Sequence, residues 1–231
     1  AVANTVSGTV QVRPYSELTI MAAAAGGTYI VEGDTAPTHS GGALYAANDG
    51  FAPGSVTLNT NGTLYIQANS TLTVGSGTSG GGRVLLDTPL FSGVLTLNTD
   101  AAATVGLASG NATVASTIAG SAQKITFQDA QTETKSGYVL TVAGGITGGG
   151  RNVVINRNMV LSGASAYTGG TTIATTGAAG TSGINSFTVS VTNISGLGKG
   201  GTAEVMGWSS TKPTTLVLDA DGFDITPAPT A

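Results

Sequence analysis

Three carboxylates near the end of the sequence form its only acidic cluster. Asp219, Asp221 and Asp224 stand at the first, third and sixth positions of the run DADGFD, and carboxylate oxygens suit a hard cation such as Ca²⁺. The EF-hand pattern is absent, because Gly222 falls at the fourth position and no Glu follows. An Asp-Gly pair is also typical of a tight hairpin turn. The sequence therefore leaves two interpretations, a calcium site and a polar hairpin turn, and the turn is preferred.

His39 is the single histidine, and it lies in the loop-like segment 34–40. No G-x-S-x-G elbow and no H-E-x-x-H motif accompany it. The chain has no Cys, which excludes disulfides, thiolate metal sites and a Cys nucleophile. We therefore expect a protein that is not an enzyme, with His39 in an exposed loop and no cofactor other than the calcium considered above.

The composition limits the partners of the chain. Its 231 residues include 36 Gly and 37 Thr, and 9% are charged where about 25% is usual. The net charge is -4 and the eight basic residues occur singly, so no patch for nucleic acid is expected. No run reaches the roughly 18 apolar residues of a spanning helix, which predicts a chain that does not span a membrane.

The elements that must position these residues are strands. Short segments alternate apolar residues with Thr, Ser or Gln, which predicts strands with one buried face. The segments are 9–12, 18–20, 56–58, 63–66, 71–74, 94–97, 125–127, 139–142, 153–155, 187–191 and 216–218. Gly-rich breakers separate them, which leaves little room for helices and predicts an all-β fold.

Two architectures suit strands that recur about every ten residues: a parallel β-solenoid, and an antiparallel β-sandwich or jelly roll. Residues 56–60 read VTLNT, and residues 95–99 read LTLNT. The offset between these two copies is close to two coils of about 20 residues each. We therefore expect a right-handed parallel β-helix and keep the antiparallel sandwich as the alternative.

The run LSGASAYTGGTTI supplies the most distinctive motif. Its informative positions are Leu161, Tyr167, Thr168, Gly169, Gly170, Thr171 and Ile173. Leu161 should end one strand, Thr171 should begin the next, and the Gly pair should permit close approach between coils. The run resembles the autotransporter-associated β-strand repeat. This resemblance implies a right-handed parallel β-helix in an exported, surface-displayed bacterial protein.

Three parts are expected along the chain. Residues 1–20 form an N-terminal strand segment, residues 21–226 a solenoid-like body, and residues 227–231 a tail. The start at Ala1, without Met, is typical of a chain after signal-peptide removal. We expect an extracellular protein of the bacterial cell surface.

The composition and the alternating strands predict a structural protein that assembles with copies of itself. Exposed strand edges carry unpaired backbone groups that another copy can satisfy. The segment with alternating Val6, Gly8, Val10 and Val12 is the candidate strand that one copy lends to another in an oligomer or filament. Two alternatives remain: a monomeric adhesin that binds a host or glycan surface ligand, and a carbohydrate-active β-helix enzyme.

Overall fold

The regular structure of the described residues is entirely β. The computed structural model describes residues 4–33, 41–76, 82–98, 103–128, 137–174, 186–206 and 214–223. Every regular element in these ranges is a strand and none is a helix, which confirms the all-β prediction. The strands are β1 (Asn4–Thr5), β2 (Thr9–Val12), β3 (Glu17–Ile20), β4 (Ala24–Ala25), β5 (Thr28–Val31), β6 (Ala43–Ala46), β7 (Phe51–Ala52), β8 (Ser55–Leu58), β9 (Thr63–Ile66), β10 (Thr71–Ser76), β11 (Arg83–Leu86), β12 (Leu90–Phe91), β13 (Val94–Leu97), β14 (Ala103–Leu107), β15 (Ala112–Val114), β16 (Ile118–Ala119), β17 (Lys124–Gln128), β18 (Leu140–Val142), β19 (Asn152–Asn156), β20 (Met159–Leu161), β21 (Thr171–Ala174), β22 (Phe187–Val191), β23 (Ala203–Met206) and β24 (Thr214–Leu218).

The strands form four sheets. Their orders are β1-β4-β7, β16-β13-β10-β8-β5-β2, β23-β21-β19-β17-β14-β11-β9-β6-β3, and β12-β15-β18-β20-β22-β24. All strand pairings within the described ranges are parallel. The antiparallel alternative is therefore wrong for this part of the chain, because consecutive strands enter different sheets instead of folding back on one another.

Neighbouring strands within a sheet come from successive passes of the chain. We call a pass the stretch of chain that leads from one strand to the next strand of the same sheet. Thr9 of β2 pairs with Thr28 of β5, which in turn pairs with Ser55 of β8. The two similar segments, 56–60 and 95–99, begin in β8 and β13, which pair with opposite sides of β10. The offset between the segments therefore spans two passes, as predicted.

The first and last of the four sheets are linked by side chains. The Asn69 N–H donates to the Asp49 carboxylate at 2.7 Å, and the Ser92 N–H donates to the Asn69 side-chain oxygen at 2.6 Å. Asp49 lies just before β7, and Ser92 just after β12. These two hydrogen bonds connect the three-stranded sheet with the six-stranded sheet that ends at β24. The two sheets therefore lie on the same side of the molecule.

Alternation of side chains builds one core. In β9 the burial alternates, with Leu64 and Ile66 fully buried and the two other residues only partly so. The inward residues of all four sheets join a single hydrophobic cluster. Its aromatic members include Tyr29 and Phe51, whose rings meet edge to face at 5.2 Å.

The Asn61-Gly62 pair turns a corner between two sheets. Asn61 has a φ of 64°, the left-handed conformation that Asn tolerates well. A Cβ on Gly62 would lie 2.6 Å from the Val31 carbonyl oxygen of the previous pass. The Asn-Gly turn therefore changes the direction of the chain between two sheets, because β8 before it and β9 after it belong to different sheets.

Candidate functional site

Strand β3 is one of the two edge strands of the nine-stranded sheet. The Ala43 N–H donates to the Ser16 carbonyl, and the Ala47 N–H donates to the Ile20 carbonyl. In a parallel ladder this phase turns the backbone polar groups of even-numbered residues toward β6. It turns those of Glu17 and Thr19, and the Met21 N–H, away from β6, while the Met21 carbonyl accepts a hydrogen bond from the Asn48 side chain at 3.1 Å. Among the described residues, β3 pairs with β6 alone. Within this part of the chain, the other side of β3 is an open edge.

The opposite edge of the same sheet is β23. The Thr171 N–H donates to the Thr202 carbonyl at 2.9 Å, and Thr171 pairs with Ala203. This phase turns the backbone groups of Ala203 and Val205 away from β21. Within the described ranges β23 pairs with β21 alone, so it too presents an open edge.

Large exposed apolar side chains concentrate near these edges. Nine are exposed among the described residues, and six of them lie in the first or last pass of the chain. These six are Tyr15, Met21, Ile194, Val205, Met206 and Val217. Exposed apolar clusters commonly mark interaction surfaces, so the two ends form the candidate assembly surface.

The predicted strand-lending segment lies within the sheets of its own chain. Val10 and Val12 belong to β2 and pair with Tyr29 and Val31 of β5, and Val12 is buried. The Val6 N–H donates to the Ala25 carbonyl, and the Gly8 carbonyl accepts from Thr28. To lend this segment, the chain would have to release these bonds and open its own core.

The predicted acidic cluster is brought together only in part. Asp219 and Asp221 are exposed, whereas Asp224 and His39 lie outside the described residues. No group of three potential metal ligands occurs in the ranges that the structure describes. Asp221 and Gly222 form a turn, as predicted, but the preceding strand β24 pairs in parallel with β22. The second strand of the predicted hairpin, expected at residues 223–225, lies mostly outside the described residues.

The motif residues occupy the positions that the sequence predicted. Leu161 ends β20 and Thr171 begins β21. A Cβ on Gly169 would lie 2.1 Å from the Arg151 carbonyl oxygen, and one on Gly170 would lie 3.2 Å from the Thr202 carbonyl oxygen. The Gly pair therefore permits close approach to the passes on both sides.

Tyr167 is buried at the corner between these strands. Its hydroxyl shares a hydrogen bond of 2.6 Å with the Thr171 hydroxyl, which also donates to the Leu197 carbonyl at 3.2 Å. A Cβ on Gly198 of the next pass would lie 2.8 Å from the Tyr167 ring. The ring is thus enclosed by its own pass and the one above it.

Burial of Tyr167 predicts a loss of stability at alkaline pH. Burial raises its pKa from 10.0 to about 12, although the Thr171 hydrogen bond opposes the shift. Above about pH 10 the unfolded chain loses the phenolic proton and the folded chain keeps it, so this contribution to stability is complete below pH 10 and falls by about 1.4 kcal/mol per pH unit up to pH 12. We expect Tyr167→Phe to reduce that fall, measured by urea unfolding at several pH values.

The matched control is Tyr138→Phe, because Tyr138 is 39% exposed. It should leave the alkaline slope of stability unchanged. An unchanged slope in Tyr167→Phe as well would contradict the assignment to Tyr167.

One aromatic pair was not predicted. Tyr45 and Tyr65 stack with their ring centroids 4.6 Å apart and their planes 7° from parallel. Both lie on the outer face of the nine-stranded sheet, where β6 pairs with β9. Burial raises both tyrosine pKa values, and Glu17 raises that of Tyr45 further. The available signal was their spacing in the sequence, which equals one pass of the chain.

A buried cation was also missed. Arg151 is fully buried, and burial lowers its pKa. Its guanidinium donates from Nε to the Ala122 carbonyl at 3.0 Å and from Nη2 to the Gly120 carbonyl. Its Nη1 is buried without a hydrogen-bond partner among the described residues. Arg151 therefore ties its own pass to the preceding one.

Comparison with known proteins finds no relative: no protein family, no curated protein and no solved structure matches the chain. Among the described residues, no helix is both long enough and apolar enough to cross a membrane.

Proposed function

We propose that this chain is an extracellular structural protein, the self-assembling subunit of a bacterial surface fibre, sheath or layer. Its copies join by pairing strand edges, and its scaffold is a right-handed parallel β-helix. The surface location and the hand of the helix rest on the repeat-like motif around Tyr167.

The order of the strands supports the solenoid scaffold. The chain enters the same three sheets in the same order in its first passes, with β1, β2 and β3 followed by β4, β5 and β6. Each strand pairs in parallel with its counterpart one pass later. A solenoid produces this pattern, because each coil contacts only its neighbours.

The two open edges carry the proposal of self-assembly. One sheet of nine strands begins at β3 and ends at β23, and each of these strands has backbone groups turned away from its neighbour. Six of the nine exposed large apolar residues of the described chain lie near these ends. A net charge of -4 over 231 residues keeps repulsion between copies low. Contacts between unlike ends propagate into filaments when they do not close.

Assembly by edge pairing would need less rearrangement of the chain than assembly by strand lending. The segment with Val6, Gly8, Val10 and Val12 is already paired with its own chain. An open edge can accept another strand without breaking any of these bonds. We therefore assign the intersubunit contact to the edges.

Substitution of a residue on the open edge tests the proposal. Val205→Pro removes a backbone N–H that points away from β21, so it should leave the fold intact. We expect the wild-type chain to form filaments and Val205→Pro to reduce polymer mass at least tenfold, measured by light scattering and negative-stain electron microscopy.

Val205→Thr is the matched control, because it keeps the backbone N–H and suits a strand. It should still polymerise. A wild-type chain that stays monomeric at high concentration would overturn the proposal and favour the monomeric adhesin. The stacked pair Tyr45 and Tyr65 would then be its first surface to test for ligand binding.

A further inference from the structure

The described residues at the two ends of the nine-stranded sheet fit one another. We propose that copies stack head to tail, with β23 of one copy pairing in parallel with β3 of the next, in the register that places Met206 beside Met21. This inference rests on the proposed self-assembly and adds its polarity, its strands and its register.

Strand direction favours a head-to-tail contact. Every pairing within the nine-stranded sheet is parallel, from β3 with β6 to β21 with β23. A second copy translated along the stack therefore presents its β3 parallel to β23. The same translation brings its β1 toward β24, because the sheets that contain them share one side of the molecule.

The hydrogen-bonding phase of the two edges limits the register. Residues 203 and 205 turn their backbone groups outward on β23. At the β3 edge, residues 17 and 19 turn their backbone groups outward, and Met21 turns its N–H outward. In a parallel ladder, the N–H and C=O of one residue bond to the two residues on either side of the residue that lies opposite it. That opposite residue must therefore have neighbours whose backbone groups point toward the first strand. Val205 can therefore lie opposite Ile20 or Leu18, but not opposite Thr19.

The inward or outward direction of the side chains permits the same two registers. Leu18 and Ile20 pack partly against the core at one end, and Val205 pairs with the buried Ile173 at the other. Opposing Val205 to Ile20 or to Leu18 continues the apolar interior from one copy to the next. A slip of one residue would turn these side chains to the outer face.

Charge decides between the two permitted registers. With Val205 opposite Leu18, Glu204 would lie directly opposite Glu17, and like charges across strands destabilise the pair. With Val205 opposite Ile20, Glu204 lies opposite the neutral Thr19.

The second register also pairs two exposed apolar side chains. Met206 then lies opposite Met21, and these residues are 42% and 79% exposed in the single chain. Contact between them would remove apolar surface from water at both ends at once. The register with Met206 beside Met21 is therefore the one inferred.

The register predicts four backbone bonds between copies. The Ala203 N–H donates to the Glu17 carbonyl, and the Val205 N–H donates to the Thr19 carbonyl. In return, the Thr19 N–H donates to the Ala203 carbonyl, and the Met21 N–H donates to the Val205 carbonyl. Val205→Pro deletes one of these four donors.

The absence of Cys from the chain permits a direct test by disulfide cross-linking. Met21→Cys and Met206→Cys are made as separate variants, mixed, polymerised and oxidised. Paired residues on adjacent strands lie about 4.8 Å apart, within the Cα separation of about 4.4–6.8 Å that a disulfide spans. We expect a covalent dimer from the mixture on a non-reducing gel, and none from either variant alone.

Thr19→Cys mixed with Met206→Cys is the control for the competing register. In the inferred register these two positions are about 8 Å apart, beyond disulfide reach, so this mixture should not cross-link. Cross-linking of this mixture instead of the first would overturn the register. Cross-linking of either variant alone would overturn the head-to-tail polarity.

Electron microscopy of the same samples separates this inference from the function on which it rests. Filaments without the expected cross-link would overturn the inferred contact and leave self-assembly standing. A wild-type chain without filaments would overturn both.

Discussion

Replacing Arg151 with Ala is expected to lower the free energy of unfolding by about 4 kcal/mol. The change empties a buried volume and leaves the carbonyls of Gly120 and Ala122 without their donor. A large buried side chain truncated to Ala typically costs about 3–5 kcal/mol, and each buried polar group left unsatisfied adds about 1–3 kcal/mol. Removal of a buried guanidinium whose Nη1 has no hydrogen-bond partner among the described residues offsets part of this loss. Urea unfolding measures the result.

Arg151→Met separates packing from hydrogen bonding. Met keeps most of the volume and removes the buried charge, so its loss of stability should be less than half that of the Ala variant. Arg13→Ala is the surface control, because Arg13 is exposed, and it should change the free energy of unfolding by less than about 0.5 kcal/mol. Equal losses of unfolding free energy in Arg151→Ala and Arg13→Ala would contradict the role of Arg151 in tying its pass to the preceding one.

Gly169→Ala is expected to destabilise the chain by about 3 kcal/mol. The added Cβ would meet the Arg151 carbonyl oxygen at 2.1 Å and its carbonyl carbon at 2.4 Å. Both atoms belong to the backbone of the adjacent pass, so relief requires the two passes to separate, at the upper end of the usual cost of overpacking. The midpoint of urea unfolding provides the measurement.

Gly149→Ala is the matched control for this change. Apart from Gly149 itself and its two chain neighbours, no described residue has an atom within 4 Å of a Cβ at this position, and its φ is not positive. The substitution should be neutral or stabilise the chain by up to about 1 kcal/mol through the unfolded state. A Gly169 variant as stable as the Gly149 variant would show that the passes do not approach closely at the motif.

The strands were predictable because each reports its own pattern of burial. β2 was predicted as residues 9–12 and β9 as residues 63–66, and both have those bounds. Alternation along a strand depends only on which face is buried, so a single segment is enough to reveal it. The motif around Tyr167 was equally informative, since its corner residues are consecutive in the sequence.

Pairing between strands was less accessible, because it depends on the length of each pass. Thr171 pairs with Val153 on one side and with Ala203 on the other, and the second step along the chain is much longer than the first. No single period describes such steps. The contact of Arg151 with Ala122 depends on such steps, and it was missed for this reason.

Asp221 and Gly222 form the predicted turn, and the strand expected after it, at residues 223–225, lies mostly outside the described residues. An Asp-Gly pair predicts a tight turn but does not specify what the turn connects. In this chain the preceding strand β24 pairs with β22 of the previous pass, with Leu216 beside Val189. The Asp-Gly pair predicts the turn itself. Which strand β24 pairs with depends on residues that are distant in the sequence.

The unequal steps have a consequence for engineering. The nine-stranded sheet keeps its register across the short step from β19 to β21 and across the longer step from β21 to β23. Segments between rungs can therefore change length while the ladder stays in phase. A foreign epitope grafted between β21 and β22 would then repeat once per copy. A filament of such copies would serve as a multivalent display scaffold with regular spacing.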